Sequence, residues 1–240
     1  MQWIDFPIFN STNFLSEFKA NEISAGILLV NKPLGWTSFD VVKYVRSRIQ
    51  KKKVGHAGTL DPMADGLLVL CFGKATKSID QIQSLTKEYN AKIKLGGSTP
   101  SYDAETQVDQ QAAYDHITLE DIEQKLLSEF SGDIQQIPPM YSALKRNGKK
   151  LYELARIGKS VDLESRLVHV YSTDIHSFTG NTLELTINCS KGTYIRSIAH
   201  DLGIALGSRA HLCGLTRNKI GDLEAKQALE ISVFDSLFKQ

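Results

Sequence analysis

The sequence is poor in cysteine, and the few it has are scattered. Cys71, Cys189 and Cys213 make an odd count, and no Cys-x-x-Cys pair occurs among them. None of the six histidines stands in a His-Glu-x-x-His arrangement. Both observations argue against a disulfide framework and against a structural zinc site. Cys71 and Cys189 lie inside apolar patterns and read as small core residues, which fits a reducing cytosol. Long apolar runs are missing too. The longest, Leu67–Phe72, falls far short of the roughly 20 residues that a bilayer-spanning helix needs. The first thirty residues scatter Asp5, Glu17, Lys19 and Glu22 among apolar ones, with no basic stretch leading into an apolar one, so no secretory signal is read there. The glycine-rich phosphate loops GxxxxGK[ST] and GxGxxG are also absent, which removes the usual nucleotide-binding signals.

What remains is an ordinary globular composition, with 240 residues, 42% of them hydrophobic and 23% charged. That length allows one large domain or two small ones and a full core. The net charge of +1 hides an asymmetry. Lys43, Arg46, Arg48, Lys51, Lys52 and Lys53 follow one another with no acid between. Lys145, Arg146, Lys149, Lys150, Arg156 and Lys159 are opposed only by Glu153. Two concentrated basic segments on a near-neutral chain can present a focused positive surface to a polyanion. Charge alone leaves open that both are merely solvated faces.

Residues 1–25 read as a separate N-terminal extension whose role the pattern does not reveal. Gly26–Val30 reads as a buried strand, and Thr37 or Ser38 caps a helix with Val41, Val42, Val45 and Ile49 on one side. Leu67–Phe72, bounded by glycines, reads as a strand buried on both faces. Glu88–Leu95 alternates strictly, with Tyr89, Ala91, Ile93 and Leu95 on the inner face. Thr118 caps a helix carrying Leu119, Ile122, Leu126, Leu127 and Phe130 at helical spacing. Thr182–Cys189 alternates again, and a further helix holds Ile195, Ile198, Leu202 and Leu206 inward. Lys149–Ile157 reads as a short helix stopped by Gly158, and Leu229–Phe238 is helix-like. The chain is mixed α and β with hairpin-type strands, without the regular βαβ rhythm of a doubly wound sheet. The apolar arm Ile137–Leu144 contains two prolines, which exclude a helix interior. It is either a clamp over a ligand or a surface excursion packed on the core.

The densest chemistry lies in Gly55–Gly66, which holds three glycines, His56, Asp61 and Asp65 directly before the buried strand. Loops held by a rigid strand are favoured places for catalytic groups. By its chemistry alone Asp61 reads as the cap of a single helical turn, with Pro62 at the first position. His56, Tyr89 and Arg196 taken alone likewise read as a structural histidine, a core aromatic and a solvated surface cation.

A set of motifs changes that weighing. Gly55-His56-Ala57-Gly58-Thr59-Leu60-Asp61-Pro62, with Gly66-Leu67-Leu68 and Gly73-Lys74-Ala75-Thr76-Lys77, resembles the signature of the TruB family, the tRNA pseudouridine-55 synthases. In matching order follow Asn31–Ser38 upstream, then Lys87-Glu88-Tyr89, Ile137–Lys145, Gly148–Tyr152 and Cys189–Arg196. The similarity covers residues 26–237. It implies an α+β pseudouridine synthase fold, with a mixed, largely antiparallel central sheet flanked by helices and a thumb-like insertion at about residues 132–165. The catalytic domain would span 26–240. Because the chain stops at Gln240, the C-terminal PUA module of many bacterial members is expected to be absent, with weaker tRNA affinity as the consequence.

The implied activity is isomerisation of uridine to pseudouridine at position 55 in the T-loop of tRNA, with the base flipped out to reach the enzyme. A module that binds and folds RNA, with catalysis secondary, is the alternative. The resemblance makes Asp61 the attacking carboxylate, Tyr89 the residue against the flipped base and a base late in the reaction, and Arg196 the cation paired with the catalytic carboxylate. His56 would contact the T-loop, and Tyr194 and Leu215 would line the uridine pocket. The basic segments, chiefly Lys51, Lys52, Lys53, Lys145, Arg146, Lys149 and Lys150, would hold RNA phosphates. The isomerisation is redox-neutral and adds no atom, so no metal or organic cofactor is expected. The partner would be the tRNA T-stem-loop, with no membrane and no obligatory protein, and the chain a cytoplasmic monomer. Thr59, Thr216 and the loop Ser98–Gln107, which keeps Asp103, depart from the commoner family pattern.

Overall fold

The computed structural model describes residues 5–19, 21–146, 148–159 and 161–238. In chain order its main elements are β1 (Gly26–Lys32), α1 (Ser38–Arg48), β2 (Val54–His56), β3 (Ala64–Phe72), α2 (Ile79–Ser84) and β4 (Lys87–Leu95). There follow α3 (Leu119–Glu129), β5 (Gly132–Gln136), α4 (Leu151–Arg156), β6 (Arg166–Thr179), β7 (Thr182–Cys189), α5 (Ile195–Ala205) and β8 (Ala210–Ile220). The class is α+β, with largely antiparallel pairing. Contacts divide the chain into two units, Met1–Tyr89 with Thr216–Gln240, and Asn90–Leu215.

In the first unit β1 pairs antiparallel with β3 over its whole length, from Gly26 opposite Phe72 to Lys32 opposite Gly66. Their side chains sort by parity. Leu28, Val30, Leu68, Leu70 and Phe72 face α1, where Val41, Val42, Val45 and Ile49 meet them. Ile27, Leu29, Leu67, Val69 and Cys71 face the other way, against Ile82, Ile220 and Leu223. Burial on both faces is what the continuous apolar run predicts. Thr37, rather than Ser38, caps α1. It forms a capping box in which Asp40 N donates to Thr37 Oγ1 at 3.1 Å and Thr37 N donates to Asp40 Oδ2 at 3.0 Å.

The N-terminal segment acquires a role here. Ile8–Phe9 adds a short parallel strand to β1. Phe9, Phe14 and Phe18 enter the α1-side core, with Phe14 and Phe18 stacked at 4.8 Å and Phe14 meeting Phe234 edge-on at 5.1 Å. The tail segment Ile231–Phe238, read as helix-like, is wound as a 3-10 helix.

In the second unit the strands run in the order β8, β4, β7, β6, β5. β6 and β7 form a long hairpin closing with Thr179 opposite Thr182, and β5 pairs with β6 from Gln136 opposite Arg166. The alternation of Asn90–Leu95 and Thr182–Cys189 appears as alternating burial. Helix α3 has the expected capping box, Thr118 with Asp121. It buries Ile122, Leu126 and Phe130 but leaves Leu119 and Leu127 out, the latter 77% exposed. Positions 122, 126 and 130 rise on one face at four-residue spacing, and 127 points away from it. The basic helix also starts later than its sequence suggests. Lys149–Lys150 pair antiparallel with Lys145–Arg146 in a small hairpin, and only Leu151–Arg156 is helical.

Candidate active site

The chain around Asp61 is neither strand nor helix, so its backbone groups need partners from elsewhere. Each carbonyl from Gly58 to Pro62 has one. The Gly58 oxygen accepts from Arg217 Nη2 at 3.1 Å and the Thr59 oxygen from Arg217 Nη1 at 3.4 Å. The Leu60 oxygen accepts from Ser38 Oγ at 3.0 Å, and Leu60 N donates back to the same hydroxyl at 2.8 Å. The Asp61 oxygen accepts from Ala64 N at 3.1 Å, and the Pro62 oxygen from Gly35 N at 2.8 Å. Pro62 O also lies 3.4 Å from Lys32 Nζ, whose ammonium donates to Pro33 O and Trp36 O as well. Asp61–Ala64 is therefore a β-turn with proline at its second position, not the start of a helix. Strand β3 begins directly after it, so the turn is fixed at both ends.

Lys32 and Arg217 are both buried beneath this loop. Together with Ser38 they hold the loop's backbone, and the sequence pattern singles out none of the three for that part. Lys32 and Ser38 were visible only as members of a matched motif. Arg217 sits within a strand and carried no signal, because the acceptors of its guanidinium come from far away in the chain.

His56 ends β2 and leads into the same loop. Its Nδ1 is buried and makes no hydrogen bond among the described residues. Burial first, and the Arg217 guanidinium second, push its pKa below the usual histidine range, and the backbone at Gly58 opposes them weakly. Both effects favour the neutral ring over the cation. Tyr89 lies on the inner face of β4 and is buried.

Tyr194, Arg196 and Leu215 belong to the second unit. Tyr194 precedes the first turn of α5. The buried Gln136 side chain reads both its backbone groups, accepting from Tyr194 N at 2.7 Å and donating to Tyr194 O at 3.0 Å. The Arg166 guanidinium lies 5.6 Å from the centre of the Tyr194 ring. Leu215, midway along β8, is half-buried.

Arg196 is not the solvated cation that its spacing suggests, for it is only 4% exposed. Its Nη1 meets Asp103 Oδ2 at 3.2 Å and donates to Ser101 O at 3.1 Å, while Nη2 donates to Tyr141 O at 2.9 Å. Asp103 is itself fully buried, and its other oxygen accepts from Ser101 Oγ and from Glu105 N. A buried ion needs this saturation, since an unpaired one is costly. Asp103 is therefore the buried counter-ion of Arg196, and the only hint of it in the sequence was its persistence within an otherwise divergent loop. The bond to Tyr141, and Ser197 Oγ donating to Ile137 O at 2.8 Å, tie the proline-containing arm to α5.

The expected RNA-contacting cations lie in two places. Lys51–Lys53 form the link between α1 and β2, with Lys52 and Lys53 exposed. Lys145, Arg146, Lys149 and Lys150 make the small hairpin; the side chain of Lys145 lies outside those described. Arg146 donates to Asp162 O, Lys149 is exposed, and Lys150 Nζ donates to Tyr152 OH. Among the described residues no helix is long and apolar enough to cross a membrane.

Comparison with known proteins gives a consistent picture. Residues 46–195 match the family model described as TruB family pseudouridylate synthase, N-terminal domain. The tRNA pseudouridine synthase B of Bacteroides fragilis is 47% identical over 90% of this chain and 94% of its own length. That of Dechloromonas aromatica is 49% identical over 88% of this chain and 70% of its own. Among solved structures, an H/ACA ribonucleoprotein bound to a substrate RNA containing 2'-deoxyuridine superposes with a TM-score of 0.64, at 26% identity over 87% of this chain. A Cbf5–Nop10–Gar1 complex gives 0.66 at 28% identity, also over 87%. This chain spans about half the length of those solved chains, 52% and 53% respectively.

Proposed function

We propose that this chain, which belongs to the TruB family of pseudouridylate synthases, converts uridine 55 in the T-loop of tRNA to pseudouridine, acting as a cytoplasmic monomer without a guide RNA or a protein partner. The observation that carries the reading is the loop at Asp61. It holds the half-buried Asp61 in a loop whose carbonyls from Gly58 to Pro62 are each anchored. Such pre-organisation is what a positioned nucleophile requires. Relatives that match the chain over nearly all of their length bear the name tRNA pseudouridine synthase B, which supports tRNA as the substrate.

In this reading the target uridine leaves the stack, at a cost of about a few kcal/mol that pocket contacts offset. Asp61 attacks the nucleotide and the N1–C1′ bond breaks. The uracil turns, the C5–C1′ bond forms as the Asp61 carboxylate is released, and the C5 proton passes to solvent while N1 regains one. Arg196 serves as the cation that favours the ionised carboxylate. Tyr89 supports the flat base with its ring and takes part in the proton transfer. His56 contacts the T-loop, and Tyr194 and Leu215 line the base. The lysines and arginines of the two basic segments bind phosphates, leaving selectivity to loop shape and splayed bases.

The test is tritium release from a T-arm minihelix labelled at uridine C5, using the purified chain alone. Wild type is expected to release tritium and leave pseudouridine in the digest. Asp61→Asn should release it at least about 1,000-fold more slowly while still binding the RNA. Binding without release by wild type would overturn the assignment in favour of an RNA-binding module, and free uracil would indicate a hydrolase.

A further inference from the structure

Arg217 is among the largest fully buried side chains of the molecule. Its three nitrogens all point at carbonyls, with Nε donating to Leu67 O at 2.8 Å and the two terminal nitrogens donating to Thr59 O and Gly58 O. It thus bridges β3 to the first part of the Asp61 loop. No carboxylate lies within ion-pair distance of it among the described residues. The approach is close on both sides. A Cβ at Gly66, where φ is +91°, would lie 2.5 Å from the Arg217 carbonyl oxygen, and one at Gly58 would lie 3.5 Å from Nη1. Glycine at position 66 lets the β8 backbone at Arg217 lie this close to β3, and the 3.5 Å at Gly58 is ordinary contact.

Desolvating a guanidinium without a counter-ion is costly. A neutral donor could satisfy carbonyl groups, so packing alone does not call for a charge here. A planar fork that is always protonated does two things that a neutral side chain cannot. It fixes two successive carbonyls in one plane, and it places a permanent positive charge under the loop. The same charge, after burial, lowers the pKa of the neighbouring His56.

We infer that Arg217 is a positioning residue for the reaction: by clamping Gly58 and Thr59 to β3 it sets the Asp61 carboxylate for attack. The inference rests on the function proposed above. It separates Arg217 from the residues that touch substrate, and it assigns the loss on mutation to the chemical step.

Two variants test it. Arg217→Met keeps the length and removes the charge and the fork, and Arg217→Lys keeps the charge alone. Three readouts are needed: kcat and KM for tritium release, amide hydrogen exchange at residues 58–61, and the titration of the His56 ring by NMR. For Arg217→Met, kcat is expected to fall about 100-fold with KM changed less than about threefold. Exchange protection should fall at Gly58–Asp61 and persist in β3, and His56 should titrate at higher pH. Arg217→Lys should restore the low His56 titration and about tenfold of the lost kcat. Wild-type kcat in a folded Arg217→Met would overturn the inference, as would protection lost equally throughout the unit. Should the methionine variant not fold, Arg217→Lys decides: wild-type kcat with intact loop protection overturns the clamp. If wild type itself released no tritium, the reaction would fall, while unchanged exchange in the variants would separately remove the clamp.

Discussion

At the scale of single residues, the molecule sets its chemistry by burying charge and then saturating it. The Asp103–Arg196 pair shows this most fully: the two groups meet at 3.2 Å, Asp103 also accepts from Ser101 and Glu105, and Arg196 also donates to Ser101 and Tyr141. Removing Asp103 takes a buried counter-ion from Arg196 and the acceptor from Ser101 Oγ and Glu105 N. Asp103→Ala is therefore expected to destabilise the protein by about 3 kcal/mol, read as a lower urea midpoint. A surface ion pair such as Lys92–Glu184 would cost well under about 1 kcal/mol in the same assay. A role for Asp103 only in loop solvation would give the smaller figure.

At the scale of elements, local rules explain where most helices begin. Thr37 and Thr118 each precede an aspartate three residues on, and both form complete capping boxes. Thr118→Ala leaves α3 without its side-chain acceptor and should lower stability by about 1 kcal/mol in chemical denaturation. Asp121 should at the same time titrate closer to the ordinary carboxylate range, because the Thr118 hydrogen bonds now hold it lower. Local rules fail where an element's partner decides. Lys149 and Lys150 have good helical propensity, yet they pair with Lys145–Arg146 because a hairpin closes there. Leu127 fits an apolar stripe by composition, but the helix turns it outward.

At the scale of the whole molecule, pH links the parts. Asp201 on α5 lines a groove of about 470 Å³ with Glu129, Asp133 and Gln136, and its burial pushes its pKa up to about 6. A carboxyl that keeps its proton longer when folded than when unfolded adds stability fully present below about pH 3.8 and lost as pH rises through about 6. The folded protein thus carries an unfavourable charge at neutral pH. Asp201→Asn should raise stability at pH 7 by about 1 kcal/mol, discounted for the partial exposure of the group, and leave it unchanged at pH 3.5. Urea midpoints at the two pH values check this, and equal shifts at both would assign the effect to packing instead.

The sequence by itself determined the strands, through parity, and the principal helices, through apolar spacing and caps, because these follow from nearest neighbours in the chain. It also determined the loop that bears Asp61, through a dense local motif. Tertiary structure alone decided the burial of Arg196, the clamp at Arg217 and the use of the N-terminal phenylalanines. Each depends on atoms brought from afar: Gly58 and Arg217 stand 159 positions apart, and Ser101 and Arg196 95. A charged side chain in a linear pattern reads as solvated, and only a folded chain shows which carbonyls and carboxylates replace its water.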